Sequence, residues 1–309
     1  MISVTHGRPT MISSHLASAV PLQEQSKHLP FFANSLELYE IINQIILKLY
    51  STDSAAKDKT PALQNSYIMT DNLITALKLD SSLNRIEKNF PSSVNLEDPI
   101  AHRQAVIIRI RLLHARILLL RPILAEFCLS QDNREKSSTE ETLSDRMIEQ
   151  CALECVAAAQ KLILVTSEHQ RDDDSIGLLP AWWYRIFYVY TAATVLLAAR
   201  LRRERFTCSS ISEPWNRAIS ILQSHERFGV SARRCVAALQ ILSSKVFHGP
   251  SDTTVTTGDH VDNQTFSPDE AFNINPQISL DGIGFDADSF GFDIDNYQWL
   301  NSMPGGIMY

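Results

Sequence analysis

The chain has 309 residues, of which 44% are hydrophobic and 20% charged. That is enough for one large domain or two ordinary ones, with a sizeable core. Its net charge of −7 excludes a strongly basic nucleic-acid binder, and its odd count of five cysteines excludes a closed disulfide framework.

The charge is uneven. No Lys or Arg follows Lys245, yet ten acids lie between Gly249 and Tyr309. The other 25 acids face all 28 Lys and Arg, so residues 1–248 carry a net +3. The acidic balance is therefore a property of the tail. None of the cysteines forms a CxxC pair, which fits buried thiols in a reducing compartment. The N-terminus lacks a basic stretch followed by an apolar run, so no signal peptide is expected.

Glycine is scarce, helix formers are plentiful, and alternating β-branched runs are absent. The expected fold class is all-α. Residues 1–33, with Pro9, Pro21 and Pro30, read as an irregular segment. Ser35 can cap a helix over Leu36 to Tyr50, in which Leu38, Ile41, Ile42, Ile45, Ile46 and Leu49 share a face. A polar linker, STDSAAKDKTPA, precedes a helix expected over Gln64 to Arg85. Pro99 opens a strongly helical stretch that runs to Leu129. A kink or break is expected at Pro122, because proline lacks an N–H and crowds the carbonyl four residues back.

A charged loop leads to a helix over Leu143 to Ser167. There Cys151, Cys155, Ala158, Ala159 and Leu162 form a stripe of small residues that lets another helix approach closely. The next helix is expected from Pro180. It is uncharged from Ile186 to Ala199 and ends in Arg200, Arg202, Arg203 and Arg205. Its all-round apolarity marks it as a central buried helix near residues 180–203, with the arginines leaving into solvent. Two helices follow Pro214, separated by Gly229. Trp215, Ile219 and Leu222 form one face; Cys235, Leu239, Leu242 and Val246 form the other. Residues 34–248 read as one helical body. Residues 249–309 read as a disordered acidic and aromatic tail.

No motif for chemistry stands out. Cys151 and Cys155 have no second ligand pair beside them, and HExxH, GxSxG and Walker loops are absent. His114 reads as a satisfied core or edge residue. Asp172 to Asp174 raise the alternative of a helical magnesium-dependent prenyl-diphosphate enzyme, but the second acidic motif such a site needs is missing. The apolar run after Pro180 raises a second alternative, a single membrane span. Fourteen uncharged residues fall short of the roughly 20 required. The tail is more informative. Its acids alternate with Phe285, Phe290, Phe292, Tyr297, Trp299 and Leu300. Charge keeps such aromatics exposed until a coactivator groove buries them.

Several stretches, in order, resemble one family: the regulatory middle region of fungal zinc-binuclear-cluster transcription factors. They are SVTHGRPTMIS, FFANSLELYEIINQIILKLY, LLHARILLLRPILAEF, LPAWWYRIFYVYTAATVLLAARL, SARRCVAALQILSSKVF and the terminal YQWLNSMPGG. The resemblance implies a regulatory and activation portion of an RNA polymerase II transcription regulator, acting in the nucleus and not as an enzyme. It implies a coactivator or the transcription machinery as partner of the tail, and a small-molecule effector and a dimer partner as candidates for the body. The family's six-cysteine zinc cluster is not among these residues. Hence no metal, cofactor, membrane contact or direct DNA contact is expected of this chain.

Overall fold

In a computed structural model of the chain, residues 30–50, 61–89, 98–129, 142–171 and 177–247 are described. They form seven helices: α1 (Pro30–Leu49), α2 (Pro61–Asn89), α3 (Pro99–Leu129), α4 (Leu143–Glu168), α5 (Trp182–Ala199), α6 (Cys208–Ser224) and α7 (Val230–Phe247). Short 3-10 turns, Arg200–Arg202 and Glu226–Phe228, follow α5 and precede α7. The all-α expectation holds among these residues.

Proline sets three of the starts. α1, α2 and α3 each begin on one, where the missing N–H would have had no helical partner. α1 therefore starts before Ser35. That residue lies buried within the helix, and its hydroxyl accepts from Arg111 at 3.1 Å. α4 starts on a reciprocal cap. The Asp145 N–H donates to the Thr142 hydroxyl, and the Thr142 N–H donates to the Asp145 carboxylate. α5 begins at Trp182, two residues beyond the expected Pro180.

α3 and α5 organise the packing. α3 touches α1, α2, α4 and α5, while α5 touches α3, α4, α6 and α7. His102 meets His169 at one end of the α3–α4 pair, and Cys155 reaches the Ile117 carbonyl further along, so these helices run antiparallel. α5 runs parallel to α3: His114 packs on Phe187 and Tyr188, and Cys128 reaches Ala198. The small stripe on α4 is buried at Cys155, Ala158, Ala159 and Leu162, and half-buried at Cys151. The expected faces of α6 and α7 are also turned inward, with Val246 half-buried.

Every residue from Ile186 to Ala199 is buried. Each large apolar side chain there contributes about 1.5–3 kcal/mol relative to an exposed position, which drives this stretch to the centre. Thr191 and Thr194 do not oppose it. Their hydroxyls donate to carbonyls of the same helix at 2.8 Å. Among the described residues no helix is long and apolar enough to cross a membrane. The apolarity of α5 answers to four neighbouring helices instead.

The break at Pro122 and the helix start after Pro214 need correction. α3 is continuous through Pro122, and α6 begins at Cys208 with Pro214 inside it. The reason is tertiary. Pro122 cannot donate to the Leu118 carbonyl, but the Tyr50 hydroxyl donates to it at 2.7 Å. Pro214 cannot donate to the Ser210 carbonyl, but the Gln160 amide does so at 2.9 Å. In each case a side chain from another element replaces the missing helical bond. Burial holds the Tyr50 hydroxyl above its ordinary pKa, despite nearby Arg121, so it stays a donor. Tyr50→Phe should therefore cost about 1.5 kcal/mol in urea denaturation. In a Pro122→Ala background the helix supplies its own N–H, and the cost should fall below about 0.5 kcal/mol. Equal costs in the two backgrounds would reject this account.

The arginines after α5 need a second correction. Arg203 and Arg205 are exposed, but Arg200 and Arg202 are buried. Arg202 turns back to the end of α3, where both Nε (3.0 Å) and Nη2 donate to the Phe127 carbonyl. α3 has no basic residue in its own last turn, so the 3-10 turn after α5 lends it one.

Candidate functional site

The six aromatic and aliphatic tail residues singled out above, Phe285, Phe290, Phe292, Tyr297, Trp299 and Leu300, lie outside the described residues, as do Asp172 to Asp174. Within the body, three cations or potential cations on α3 define a polar seam: Arg111, His114 and Arg121. Arg111 lies over the rings of Phe31 (5.7 Å) and Tyr39 (5.2 Å). His114 is 1% exposed, with ring centroids 5.0 Å from Phe187 and 4.8 Å from Tyr188. Arg121 is 2% exposed and lies over the Tyr50 ring at 5.5 Å.

Electrostatics set what this seam can do. Burial, aided by Arg121, lowers the His114 pKa to about 3. Its Nε2 has no hydrogen-bond partner among the described residues, so the ring is buried without the satisfaction expected from sequence. Burial raises the Tyr188 and Tyr190 hydroxyls above their ordinary values. It also pushes the Cys128 thiol up to about 12, the half-buried Cys151 thiol up to about 11, and Cys155 and Cys235 upward. At neutral pH the seam therefore presents a neutral imidazole, phenols, thiols and guanidinium cations. Such groups position helices, and none is an activated nucleophile. Among the described residues no three His, Cys, Asp or Glu gather to hold a metal ion.

Of the half-open clefts among the described residues, two border α3. One, of about 390 Å³, is lined by Asp80, Asn84, Arg116 and Glu154 among others. Arg116 already bonds Asp80, Asn84 and Glu87 there, tying α2 to α3. The other, of about 470 Å³, has Phe31, Ile100, Ile107 and Leu178 as apolar wall and Arg103 and Arg171 as polar lining. Among the described residues neither guanidinium group is engaged by an acid. Its chemistry fits a small organic acid, with carboxylate on arginine and hydrocarbon on the wall. Sequence reasoning missed this cleft because its lining comes from α1, α3 and the loop before α5.

No family model matches the chain, and no solved structure does. Two curated proteins are similar to it. The sorbicillinoid biosynthetic cluster transcription factor sor3 of Hypocrea jecorina is 29% identical over 279 residues, 86% of this chain and 40% of that protein. The sorbicillinoid biosynthetic cluster transcription factor 2 of Penicillium rubens is 32% identical over 225 residues, 70% of this chain and 32% of that protein. The chain thus spans about a third to two fifths of the length of the relatives it matches. The chain is thus similar to a part of two fungal transcription factors.

Proposed function

We propose that the chain is the regulatory and activation portion of a fungal RNA polymerase II transcription regulator, working in the nucleus and without catalysis. The observation that carries this reading is the match to transcription factors along 86% of the chain. The alternation of acids with large aromatics between Asp281 and Leu300 supports assigning activation to the tail. With a net charge of only +3 on residues 1–248, the chain reaches DNA through a partner or a zinc cluster outside these residues. The body serves as the scaffold for control. The cleft of Arg103 and Arg171 is its candidate site for an acidic small-molecule effector.

Fusing residues 249–309 to an unrelated DNA-binding domain tests the tail. Reporter transcription should rise severalfold. Replacing Phe285, Phe290, Phe292, Tyr297, Trp299 and Leu300 by alanine should return it to background. A well-expressed fusion that leaves the reporter silent would remove the activation role.

A further inference from the structure

The start of α5 and the start of α7 meet in a surface of unusual composition. Trp182 stacks on Phe228, with centroids 5.6 Å apart and planes 16° apart. Trp183 packs edge-on against Trp182 at 5.6 Å. This platform is fixed from beneath but open above: Trp183, Phe228 and Val230 remain 45%, 38% and 42% exposed. Single exposed apolar residues are ordinary; two exposed rings, Trp183 and Phe228, that both pack on Trp182 form a recognition surface.

Two guanidinium groups frame the platform. Arg227 lies over the Phe228 ring at 4.7 Å. Arg185 sits one turn into α5, half-buried, and its Nε has no hydrogen-bond partner among the described residues. Burial and then Arg227 lower the Arg185 pKa, so the charged group that perturbs it is a second cation. Among the described residues no ion pair joins either arginine to an acid. His225 packs against Phe228 at 5.7 Å, and burial lowers its pKa too. The surface is therefore aromatic and mainly cationic, with Glu226 as the carboxylate of the Glu226–Phe228 turn beside Arg227.

We infer that this surface binds the chain's own segment from Asp281 to Leu300, with aspartates on Arg185 and Arg227 and aromatic rings on Trp183 and Phe228. The inference rests on reading that segment as the chain's interaction element. Complementarity is the first argument. The segment carries Asp281, Asp286, Asp288, Asp293 and Asp295, no cation, and Phe285, Phe290, Phe292, Tyr297 and Trp299. Arginine pairs with carboxylates in forked geometry and also stacks on rings, so both features of the segment are met.

Reach is the second argument. α7 leads from the surface at Val230 to Phe247, 18 residues or about 27 Å. Residues 248–280 must return over that distance. A flexible chain of that length has an r.m.s. span of about 30 Å. Tether and distance match, which is the condition for the highest effective concentration, in the millimolar range. At a millimolar effective concentration the docked form is half-populated when the charged and ring contacts together supply about 4 kcal/mol.

Hydrogen exchange of the full chain, read by mass spectrometry at low salt, tests this. Amides 285–300 should exchange about tenfold more slowly in the wild-type chain than in Arg185→Glu/Arg227→Glu. The surface segment 226–231 should lose protection in the same variant. Asp286→Asn/Asp288→Asn/Asp293→Asn should reproduce the tail effect with every body residue intact, which covers misfolding of the first variant. Molar salt should release the tail of the wild-type chain. Equal exchange of 285–300 in the wild-type and all variant chains would overturn the inference. So would tail protection that survives the arginine reversal. A tail that activates in the reporter fusion yet shows no protection fails only the docking; a protected tail that does not activate fails only the activation.

Discussion

Arg202→Ala should cost about 3 kcal/mol of unfolding free energy. Phe127 is among the last residues of α3, where carbonyls lack helical partners. Arg202 meets its carbonyl through Nε and Nη2, and its guanidinium also lies over the Phe127 ring at 4.8 Å. Removing the side chain leaves a buried acceptor at the negative end of a 31-residue helix. The Cys128 thiol donates to the Ala198 carbonyl at 3.5 Å, so the two parallel helices end by satisfying one another. Arg202→Lys should recover roughly half of the loss, since an ammonium can donate but cannot fork or stack. Exposed Arg233 is the control, with an expected change within about 0.5 kcal/mol for Arg233→Ala. Urea denaturation followed by circular dichroism decides; equal midpoints for Arg202→Ala and Arg233→Ala would dismiss the cap.

Acid should destabilise the body through His114. Its folded pKa is about 3, against an ordinary value of 6.5. Between those values the unfolded chain binds a proton that the folded chain refuses. Stability from this group is therefore fully present above about pH 6.5, falls as the pH drops, and stops changing below about pH 3. From pH 7.5 to pH 5 the loss should be about 2 kcal/mol. His169 and His225, whose pKa values burial also lowers, act in the same direction in part. His114→Leu isolates the buried ring. It should cost less than about 1 kcal/mol at pH 7.5, because His114 Nε2 has no partner to lose. It should also fall about 2 kcal/mol less than the wild-type chain on acidification. Identical pH profiles for the two chains would show that the ring does not resist protonation.

The helices themselves were legible along the chain. Apolar spacing of three and four identified the inward faces of α1, α6 and α7, and the small stripe identified where α4 meets α3. The uncharged run from Ile186 to Ala199 marked the central helix, because a helix apolar on every side needs cover on every side. The Thr142 and Asp145 cap was present as a local pattern and went unread. The family was visible in ordered motifs, and the similarity to two fungal transcription factors agrees with it. The activation residues in the tail remain a proposal that rests on sequence.

What the sequence by itself determined was the helical class, the faces that turn inward and the helix at the centre. These depend on interactions within four residues, so periodicity reports them. Tertiary structure decided where the helices continue and which charges go inside. Pro122 and Pro214 break a rule that looks only along the chain, and their freed carbonyls are met by Tyr50, 68 residues from Leu118, and Gln160, 50 residues from Ser210. Arg202 looked like a solvent-bound flank until Phe127, 75 residues away, supplied an acceptor. A hydrogen bond left open by local chemistry can be closed only by a group brought from elsewhere, and the fold alone brings it there.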